Sequence, residues 1–426
     1  MNKIERLLQT LAPKGVEFKT LEEVFEIRNG YTPSKNNPEF WKNGTIPWFR
    51  MEDLRENGRI LKDSIQHITP KALKGKKLFP KNSIIISTTA TIGEHALLIV
   101  DSLANQRFTF LSKKANCDLA LDMKFFFYQC FLLGEWCKNN TNVSGFASVD
   151  MSAFKKYKFP IPPLEIQQEI VKILDAFTEL NTELNTELKA RKKQYEYYQN
   201  MLLDFNDINQ NHKDAKEKLA QKPYPKRLKT LLHTLAPNGV EFRKLGEVIN
   251  ILKGKQLNKE LLLDYGEYPV MNGGIYASGY WNEYNTDYPK IIISQGGASA
   301  GYVNYMTSKF WAGAHCYAID LNSEKLNYKF LYYFLKNSQT ILMKSQFGAG
   351  IPALNKADIE NLTIPIPPLE IQQEIVKILD QFSALTTDLL AGIPAEINAR
   401  KKQYEYYREK LLTFKPLTPN KEVDKE

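Results

Sequence analysis

A sixteen-residue stretch, PIPPLEIQQEIVKILD, occurs twice without a change, at residues 160–175 and again at 365–380. A second identical pair, ARKKQYEYY, follows at 190–198 and 399–407. Long identical segments indicate an internal duplication, and such a repeat limits the possible folds before any other feature is considered. The chain is therefore predicted to consist of two equivalent halves.

Each copy has the pattern of a long helix. Pro162 and Pro163 suit the start of a helix, where backbone donors have no partner within the helix. The apolar positions then recur in alternating steps of four and three, the spacing of a coiled-coil seam, at Ile166, Ile170, Ile173, Phe177, Leu180 and Leu184. We expect a helix of roughly 40 residues and about 60 Å from Leu164, and a second helix from Leu369 to around Phe414.

The two helices are predicted to pack against each other as an antiparallel coiled coil. Their identity extends beyond the apolar seam, although a coil requires only the seam to repeat. These further positions are predicted to face outward and to dock two copies of one partner; they are Glu165, Gln167, Gln168, Glu169 and Lys172, with Glu370, Gln372, Gln373, Glu374 and Lys377. The alternative is a coil that only dimerises. In the second copy, Pro394 is expected to kink the helix because proline removes a backbone hydrogen bond.

The composition is that of a folded chain of two or more domains, with 426 residues of which 43% are apolar. The net charge of +9 and the isoelectric point near 9.0 favour a polyanionic partner. The first residues lack the apolar core of a signal peptide and no run of eighteen apolar residues occurs, so we expect a cytoplasmic protein with no membrane contact. The cysteines form no C-x-x-C pair and are predicted to be buried free thiols: Cys117, Cys130, Cys137 and Cys316.

Each half opens with nearly the same segment, LLQTLAPKGVEF at 7–18 and LLHTLAPNGVEF at 231–242, and then carries a body that does not repeat. The first body, residues 19–158, has 21 basic and 14 acidic residues, whereas the second, residues 243–363, has 12 and 10. The basic excess therefore lies mainly in the first body.

A common frame is nevertheless recognisable in the two bodies. A β-branched run followed by small residues, SIIISTTATIG at 83–93 and KIIISQGGASAG at 290–301, predicts a buried strand and a loop. Asp150 and Asn355 occupy matching positions and suit the N-cap of a short helix. Each body is predicted to be a mixed α/β globule with the same frame and different surface loops.

The predicted fold class is thus α/β (mixed α+β), with two globular domains separated by two long helices and related by a pseudo-two-fold repeat. The predicted boundaries are 1–158 and 228–363 for the globular domains, 159–205 and 364–415 for the helical spacers, 206–227 for a polar linker and 416–426 for a tail.

Sequence motifs for catalysis are missing. The chain has no phosphate-binding loop with its lysine, no Asn or Asp followed by Pro-Pro-Tyr, and no Pro-Asp with the spaced acidic pair and lysine of a nuclease. The five histidines show no metal-ligand spacing. We therefore predict no catalytic residue, no metal site and no cofactor on this chain.

The loops of both bodies contain the residue types that bind nucleic acids. Arginine matches guanine, asparagine and glutamine match adenine, and lysine and hydroxyl groups suit phosphates. The DNA-binding candidates in the first body are Asn29, Tyr31, Thr32, Ser34, Lys35, Trp48, Arg50, Gln106 and Arg107. Those in the second are Lys253, Lys255, Gln256, Ser294 and Gln295. Ordinary surface polarity is the alternative for any single residue of this set.

These features together resemble the specificity subunits of type I restriction-modification enzymes. The resemblance covers nearly the whole chain and rests on the paired PIPPLEIQQEIV boxes, on IPWFRMEDL at 46–54 and on NGG at 272–274. It implies that each globular domain reads one half of a split, asymmetric double-stranded DNA site and that the helices set the spacing of the halves. It also implies two methyltransferase subunits and the restriction (motor) subunits as partners.

The same resemblance implies that this chain is a non-catalytic subunit of an adenine-specific methyltransferase and ATP-dependent nuclease. S-adenosylmethionine, ATP and Mg²⁺ are then expected on the partner subunits. Two other classes remain open from the sequence: a self-sufficient methyltransferase or nuclease, which would need the missing motifs, and a coiled-coil scaffold that reads no sequence, which would not explain two bodies with different loops.

The two helical regions differ in length by one unit of four residues. Residues 178–189 read TELN-TELN-TELK, and sixteen steps separate Asp175 from Arg191, whereas twenty separate Asp380 from Arg400. Four residues slightly exceed one helical turn, so the apolar face returns after each unit with a drift of about 40°. The sequence therefore predicts a spacer whose length changes in steps of four residues.

Overall fold

The computed structural model of the chain describes residues 2–142, 147–208, 215–348, 352–387 and 392–416. They form two compact units: unit 1 contains the described residues of Met1–Glu183 and Ile397–Glu426, and unit 2 those of Leu184–Glu396. Both units mix helices with sheets, which confirms the predicted α/β class. The division passes through both helical regions, which the sequence did not predict.

Unit 1 begins with one helix and is then built mainly of short strands. In chain order its elements are α1 (Asn2–Leu11), β1 (Glu17–Thr20), α2 (Leu21–Val24), β2 (Phe25–Asn29), β3 (Ile46–Phe49), α3 (Met51–Asn57), β4 (Ile60–Leu61), β5 (His67–Ile68), β6 (Ile84–Ser87), β7 (His95–Leu98), β8 (Leu103–Ala104), β9 (Phe108–Lys113), α4 (Met123–Asn139), β10 (Thr141–Asn142), β11 (Ser148–Val149), α5 (Met151–Lys155) and β12 (Lys158–Ile161). A five-stranded sheet has the order β2-β9-β6-β7-β4, and a three-stranded sheet has the order β5-β3-β8.

The predicted long helix is confirmed as α6 (Leu164–Leu203), which has 40 residues. Its first turns are held by the core of unit 1, where Ile166, Ile170 and Leu174 are fully buried beside Phe126 of α4. The apolar positions at the start of α6 therefore face the globular body, whereas the sequence pattern predicted a seam between two helices.

Unit 2 repeats the frame of unit 1. Its elements are α7 (Ala215–Gln221), α8 (Lys226–Leu235), β13 (Glu241–Lys244), β14 (Ile249–Lys253), β15 (Tyr268–Met271), β16 (Gly279–Trp281), β17 (Lys290–Ser294), β18 (Val303–Met306), β19 (Trp311–Ala312), β20 (Cys316–Leu321), α9 (Tyr328–Asn337), α10 (Gln339–Lys344), α11 (Lys356–Glu360), β21 (Thr363–Ile366) and α12 (Leu369–Thr387). The sheets have the orders β14-β20-β17-β18 and β16-β15-β19. The predicted buried strands are β6 and β17, each central in its sheet.

The predicted caps are also present. The Asp150 carboxylate accepts hydrogen bonds from the N–H groups of Ser152 and Ala153 at 2.9 and 3.3 Å, and the N–H of Asn355 donates to Asp358 Oδ2 at 3.3 Å. All four cysteines are free, as predicted; Cys130, Cys137 and Cys316 are also buried, whereas Cys117 is half-buried and was wrongly expected to be buried.

The predicted polar linker is folded where it is described. Ile208, Leu219 and Tyr224 are buried in the core of unit 2, and the Ile208 carbonyl accepts a hydrogen bond from the Val240 N–H at 2.8 Å. Residues 209–214 of that linker, and residues 417–426 of the predicted tail, lie outside the described part of the chain. The described part of this segment therefore packs against unit 2 through three buried side chains, although its average composition is polar.

The second helical region is two helices, α12 and α13 (Gly392–Leu412), and residues 388–391 between them are outside the description. Gly392 has a φ of 76°, and a Cβ placed on it would lie 2.6 Å from the Ala384 carbonyl oxygen. In one continuous helix, eight residues span about 12 Å. The chain therefore does not continue along the axis of α12, and Pro394 lies in the first turn of α13, where proline is tolerated.

Aromatic residues join the helical regions within each unit. In unit 1, Phe177 of α6 contacts Tyr407 of α13 with a ring-centroid distance of 5.7 Å. In unit 2, Phe382 of α12 contacts Tyr198 of α6 at 5.1 Å. We call the helix that carries PIPPLEIQQEIVKILD in each repeat its box helix, that is, the start of α6 and α12. Each aromatic pair joins the box helix of one repeat to the ARKKQYEYY segment of the other repeat.

Candidate nucleic-acid interface

Unit 1 has a polar cavity of 270 Å³ where β3 and β6 end and β9 begins. Six of its nine DNA-binding candidates line it: Thr32, Lys35, Trp48, Arg50, Gln106 and Arg107. The other lining residues are Met51, Glu52, Ser87, Thr91, Asn105 and Phe108. Residues from four separate loops, remote in sequence, are thus brought together.

Arg50 directly follows β3 and is fixed through its backbone. Its N–H donates to Asp53 Oδ2 at 2.6 Å, and Asp53 Oδ1 accepts from the Ile65 N–H, also at 2.6 Å. Asp53 is fully buried. Its carboxylate joins the residue before α3 to the loop that contains Ile65. Trp48 is only 2% exposed and donates its indole N–H to the Tyr31 carbonyl at 2.9 Å. Trp48 therefore forms a wall of the cavity, and its role as a DNA contact stays a prediction.

The loop before β9 is held by its own side chains. Asn105 Oδ1 accepts a hydrogen bond from the Arg107 N–H at 3.0 Å, and the Arg107 carbonyl accepts from the Thr88 N–H at 3.1 Å. The Thr32 hydroxyl donates to Gln106 Oε1 across the cavity. The exposed side chains of Gln106 and Arg107 are consequently presented by an ordered backbone.

The cavity is positively charged, because Lys35, Arg50 and Arg107 outnumber Glu52, the one acidic residue in its lining. Arg50 Nε lies 3.9 Å from a Glu52 carboxylate oxygen, which is beyond hydrogen-bond distance. The same Nε atom is buried and has no hydrogen-bond partner among the described residues. A buried donor without an acceptor costs free energy, so this guanidinium favours an acceptor that enters the cavity.

The remaining candidates of unit 1 are not among the lining residues of this cavity. Asn29 is exposed, but its side-chain oxygen accepts a hydrogen bond from the Thr109 hydroxyl at 3.0 Å. The Tyr31 ring lies 4.0 Å from Lys76 Nζ, and Ser34 is exposed in the same loop. Their role as DNA contacts stays a prediction.

Four backbone hydrogen bonds around the cavity recur in unit 2. In unit 1 they are Gly30 N–H to Phe108 O, Tyr31 N–H to Ala104 O, Asn105 N–H to Phe49 O and Thr88 N–H to Arg107 O, at 2.8, 2.7, 3.0 and 3.1 Å. In unit 2 they are Gly254 N–H to Cys316 O, Lys255 N–H to Ala312 O, Gly313 N–H to Met271 O and Gln295 N–H to His315 O, at 3.0, 2.8, 2.8 and 2.8 Å. The surface of unit 2 around Asn272, Gln295 and His315 therefore corresponds to the cavity of unit 1 at these four backbone hydrogen bonds, and we call it the second cleft.

The candidates of unit 2 divide into exposed and buried residues. Ser294 is buried, and its hydroxyl donates to the Gly273 carbonyl, so its prediction as a DNA contact was wrong. Gln295 is half-buried beside it. The candidates with exposed side chains are Lys253, Lys255 and Gln256.

Sequence reasoning missed two residues of the second cleft. Asn272 occupies the position of Arg50, because the preceding residues, Met271 and Phe49, accept equivalent backbone hydrogen bonds. His315 occupies the position of Arg107, because the carbonyls of both accept the equivalent bond from the other loop. The His315 N–H donates to Asn272 Oδ1 at 3.2 Å. Asn272 belongs to the NGG segment, which carried the family resemblance without indicating a contact; His315 belongs to no motif and is found only through the shared frame.

Four of the ten partner-docking candidates face the chain itself. Gln167 and Gln372 are fully buried, so the prediction that they face outward was wrong. Glu169 forms an ion pair with Lys3 at 2.6 Å, and Glu374 forms one with Arg227 at 3.1 Å. These two carboxylates are mostly buried, and they hold α1 and α8 against the box helices.

The other six candidates are exposed, and they form the same stripe on α6 and α12. Within each helix they follow the spacing i, i+3, i+7, which places them on one face. They are Glu165, Gln168 and Lys172 on α6, and Glu370, Gln373 and Lys377 on α12. We call each set of three a box stripe. The docking role of the box stripes stays a prediction.

In the described ranges no group of three or more histidine, cysteine, aspartate or glutamate residues is placed to hold a metal ion. A search of the same ranges finds no helix with the length and apolar character needed to cross a bilayer.

The described residues form two units with a matched backbone frame, one with a positively charged polar cavity and the other with exposed lysines at the corresponding edge. The sequence matches the family described as the type I restriction modification DNA specificity domain, over residues 13–193 and 237–399. The chain belongs to this family, and it serves as a specificity subunit that recognises DNA. The resemblance given above is thereby confirmed.

Named relatives agree with this assignment. The chain is 39% identical to the type I restriction enzyme EcoprrI specificity subunit of Escherichia coli, over 91% of this chain and 93% of that protein. It is 26% identical to the MjaIX specificity subunit of Methanocaldococcus jannaschii, over 85% of both. The crystal structure of a type I S subunit from M. genitalium has the same fold, with a TM-score of 0.54, 20% identity and coverage of 95% of this chain and 97% of that one.

Proposed function

We propose that each unit reads one half of a bipartite, asymmetric DNA site. The observation that supports this is the matched frame with unlike side chains, Arg50 and Arg107 in unit 1 against Asn272 and His315 in unit 2. Base edges are read by hydrogen-bonding side chains, whereas backbone phosphates carry no sequence information. Two clefts with the same backbone and different donors therefore suit two different half-sites.

Exposed lysines at the clefts supply the sequence-independent part of binding. Lys35 lines the cavity of unit 1, and Lys253 and Lys255 lie at the matching edge of unit 2. Lysine pairs with phosphate and releases counterions, which strengthens binding at low salt.

The box stripes are the proposed docking surfaces for two methyltransferase subunits, and the restriction subunits join the assembled complex. Two identical exposed surfaces on one chain support two copies of one partner. S-adenosylmethionine, ATP and Mg²⁺ then belong to the partner subunits, which carry the adenine methylation and the ATP-dependent cleavage. This chain is the non-catalytic member of the complex and acts in the cytoplasm, where the DNA is found.

The test is an exchange of one body. Residues 19–158 are replaced by the corresponding domain of another specificity subunit, the chimera is co-expressed with its methyltransferase subunit, and the methylated motif is read by genome-wide methylation sequencing. One half of the motif should change and the other half should stay the same. A matched exchange of residues 243–363 should change the opposite half. If either exchange alters both halves, the two units do not read separately.

A further inference from the structure

Arg50 and Asn272 occupy one position of the shared frame and differ in chemistry. The carbonyl of the preceding residue, Phe49 or Met271, accepts the same backbone hydrogen bond in each unit. Arg50 offers only donors, in a planar fork, whereas Asn272 offers one acceptor and one amide donor. The two units thus present different hydrogen-bond patterns at one matched place.

The Arg50 side chain is held in place, and among the described residues no carboxylate lies within hydrogen-bond distance of it. Its backbone is tied to Asp53, its guanidinium carbon lies 5.8 Å from the Trp48 ring centroid, and the side chain is 26% exposed. Glu52, the acidic residue of the cavity lining, stays 3.9 Å away and is itself 54% exposed. Arg107, by contrast, is exposed at the loop before β9. A fixed, partly buried arginine is suited to a base edge, and an exposed one is suited to phosphate.

Guanine is the base whose major-groove edge matches such a fork. It presents two acceptors, O6 and N7, whereas adenine presents N7 beside an amino donor that would face the donors of arginine. Building on the function proposed above, we propose that Arg50 reads a guanine within the half-site of unit 1, and that Arg107 beside it contacts the DNA backbone.

The experiment uses the complex of this chain with its methyltransferase subunit. The target motif is first obtained from the methylated sites of cells that express the complex. Binding is then measured by competition with duplexes that carry every single base-pair substitution in the half-site of unit 1. The variants are Arg50→Ala, and Arg50→Lys, which keeps the charge and removes the fork. The Arg50 bond to Asp53 is made by the backbone, so both variants keep the start of α3.

Arg50→Ala and Arg50→Lys should each lose about 10- to 100-fold of discrimination at a single base pair, because a bidentate contact contributes discrimination of that order. That base pair should be G·C in the natural motif. Arg107→Ala should weaken binding to all duplexes alike and keep the discrimination. Arg55→Ala removes an equal charge at an exposed position of α3, outside the lining of this cavity, and should keep the motif. Asn272→Ala should affect only the other half-site.

The outcomes separate the two proposals. A wild-type complex that binds every substituted duplex equally well would contradict the proposed function. The guanine assignment alone is overturned if the wild-type complex discriminates among the duplexes but the Arg50 variants do not lose discrimination at a G·C pair. Such variants would keep the full binding profile, lose discrimination at an A·T pair, or lose affinity evenly at every position. Relaxation at one G·C pair by both Arg50 variants, with native mass spectra showing unchanged assembly, supports it.

Discussion

Gln167 and Gln372 make the same three hydrogen bonds in the two units. Each side-chain oxygen accepts a hydrogen bond from the N-cap residue of a helix in the body: Asp122 N–H, at the start of α4, at 2.8 Å in unit 1, and Asn327 N–H, at the start of α9, at 2.7 Å in unit 2. Each side-chain amide donates to two carbonyls: Ala120 and Pro162 at 2.8 and 2.6 Å, and Lys325 and Pro367 at 2.8 and 2.6 Å. The glutamine therefore fastens the start of each box helix to its own globular body.

A second contact of the box repeats in the same way. Asp175 accepts from Lys124 Nζ at 2.6 Å and from the Tyr128 hydroxyl at 2.7 Å. Asp380 pairs with Lys329 at 2.7 Å and with the Tyr333 hydroxyl. The identity of the two boxes thus serves an internal purpose, the docking of two unlike bodies onto like helices, as well as the proposed external one.

Gln167→Ala should destabilise unit 1 by roughly 2–4 kcal/mol, because it leaves the Asp122 N–H and two carbonyls without partners, and a buried group left without a hydrogen bond costs about 1–3 kcal/mol. Gln372→Ala should do the same in unit 2. The measurement is urea unfolding read by peptide-level oxidation mass spectrometry, which follows each unit separately. Gln168→Ala changes the exposed neighbour and should have an effect within about 0.5 kcal/mol; equal effects of Gln167→Ala and Gln168→Ala would contradict the internal role.

The frame of each unit could be predicted from the sequence, because its signals are local. The β-branched runs that became β6 and β17, and the caps at Asp150 and Asn355, depend on neighbours within a few residues. The 40 residues of α6 depend on a sustained apolar pattern. These predictions needed no knowledge of which distant segments meet.

The predictions that failed depended on tertiary contacts. The spacing of apolar residues locates an apolar face on α6 but does not show whether a globular body or another helix covers that face. Ile166 was therefore assigned to a seam between two helices, whereas it packs in the core of unit 1. From sequence alone, a polar side chain next to an apolar face is predicted to be exposed. Gln167 is nevertheless buried, because its side-chain amide forms hydrogen bonds with backbone groups of a loop that is distant in sequence. Ser294 was misplaced for the same reason. The second helical region is divided into α12 and α13, and the positive φ of Gly392 at the start of α13 is not visible in a pattern of side chains.

A buried histidine should make unit 1 sensitive to acid. His95 is almost fully buried in β7, its Nε2 has no hydrogen-bond partner in the described structure, and burial, with the nearby Arg59 guanidinium, lowers its pKa to about 3. The unfolded chain binds a proton below its ordinary pKa of about 6.5 while the folded chain does not. Stability is therefore present above pH 6.5 and is lost as the pH falls towards 3, by about 2 kcal/mol between pH 7 and pH 5.

The same position of unit 2 is occupied by Val303, since Ile86 pairs with His95 as Ile293 pairs with Val303. Urea unfolding at pH 7 and pH 5, read separately for each unit, should show the loss in unit 1. His95→Val should remove this part of the slope, so that the stability of the variant relative to the wild type is about 2 kcal/mol higher at pH 5 than at pH 7. An unchanged slope in that variant would assign the acid sensitivity to other groups.

The box stripes should bind one partner subunit each. Lys172→Glu and Lys377→Glu each reverse one charge in one stripe. If the stripe contacts the partner, the reversed charge should weaken binding by a factor of about ten or more. Native mass spectrometry of the co-expressed complex should then show one methyltransferase subunit for each single variant and none for the double variant. Lys62→Glu makes the same charge change on an exposed loop of unit 1 and should leave two bound. Loss of both subunits from one single variant would contradict independent docking.

The length of α6 should set the distance between the half-sites. Thr182–Asn185 is one TELN-type unit within this continuous helix, and its removal shortens the helix by four residues, or about 6 Å. One base-pair step along DNA is about 3.4 Å. Deletion of residues 182–185 should therefore bring the two half-sites one to two base pairs closer, and insertion of one such unit should move them apart by the same amount. The half-sites themselves should stay the same, because no residue of either cleft changes. Genome-wide mapping of methylated sites measures the gap directly, and an active deletion variant that methylates sites with the original gap would show that this helix does not determine the spacing.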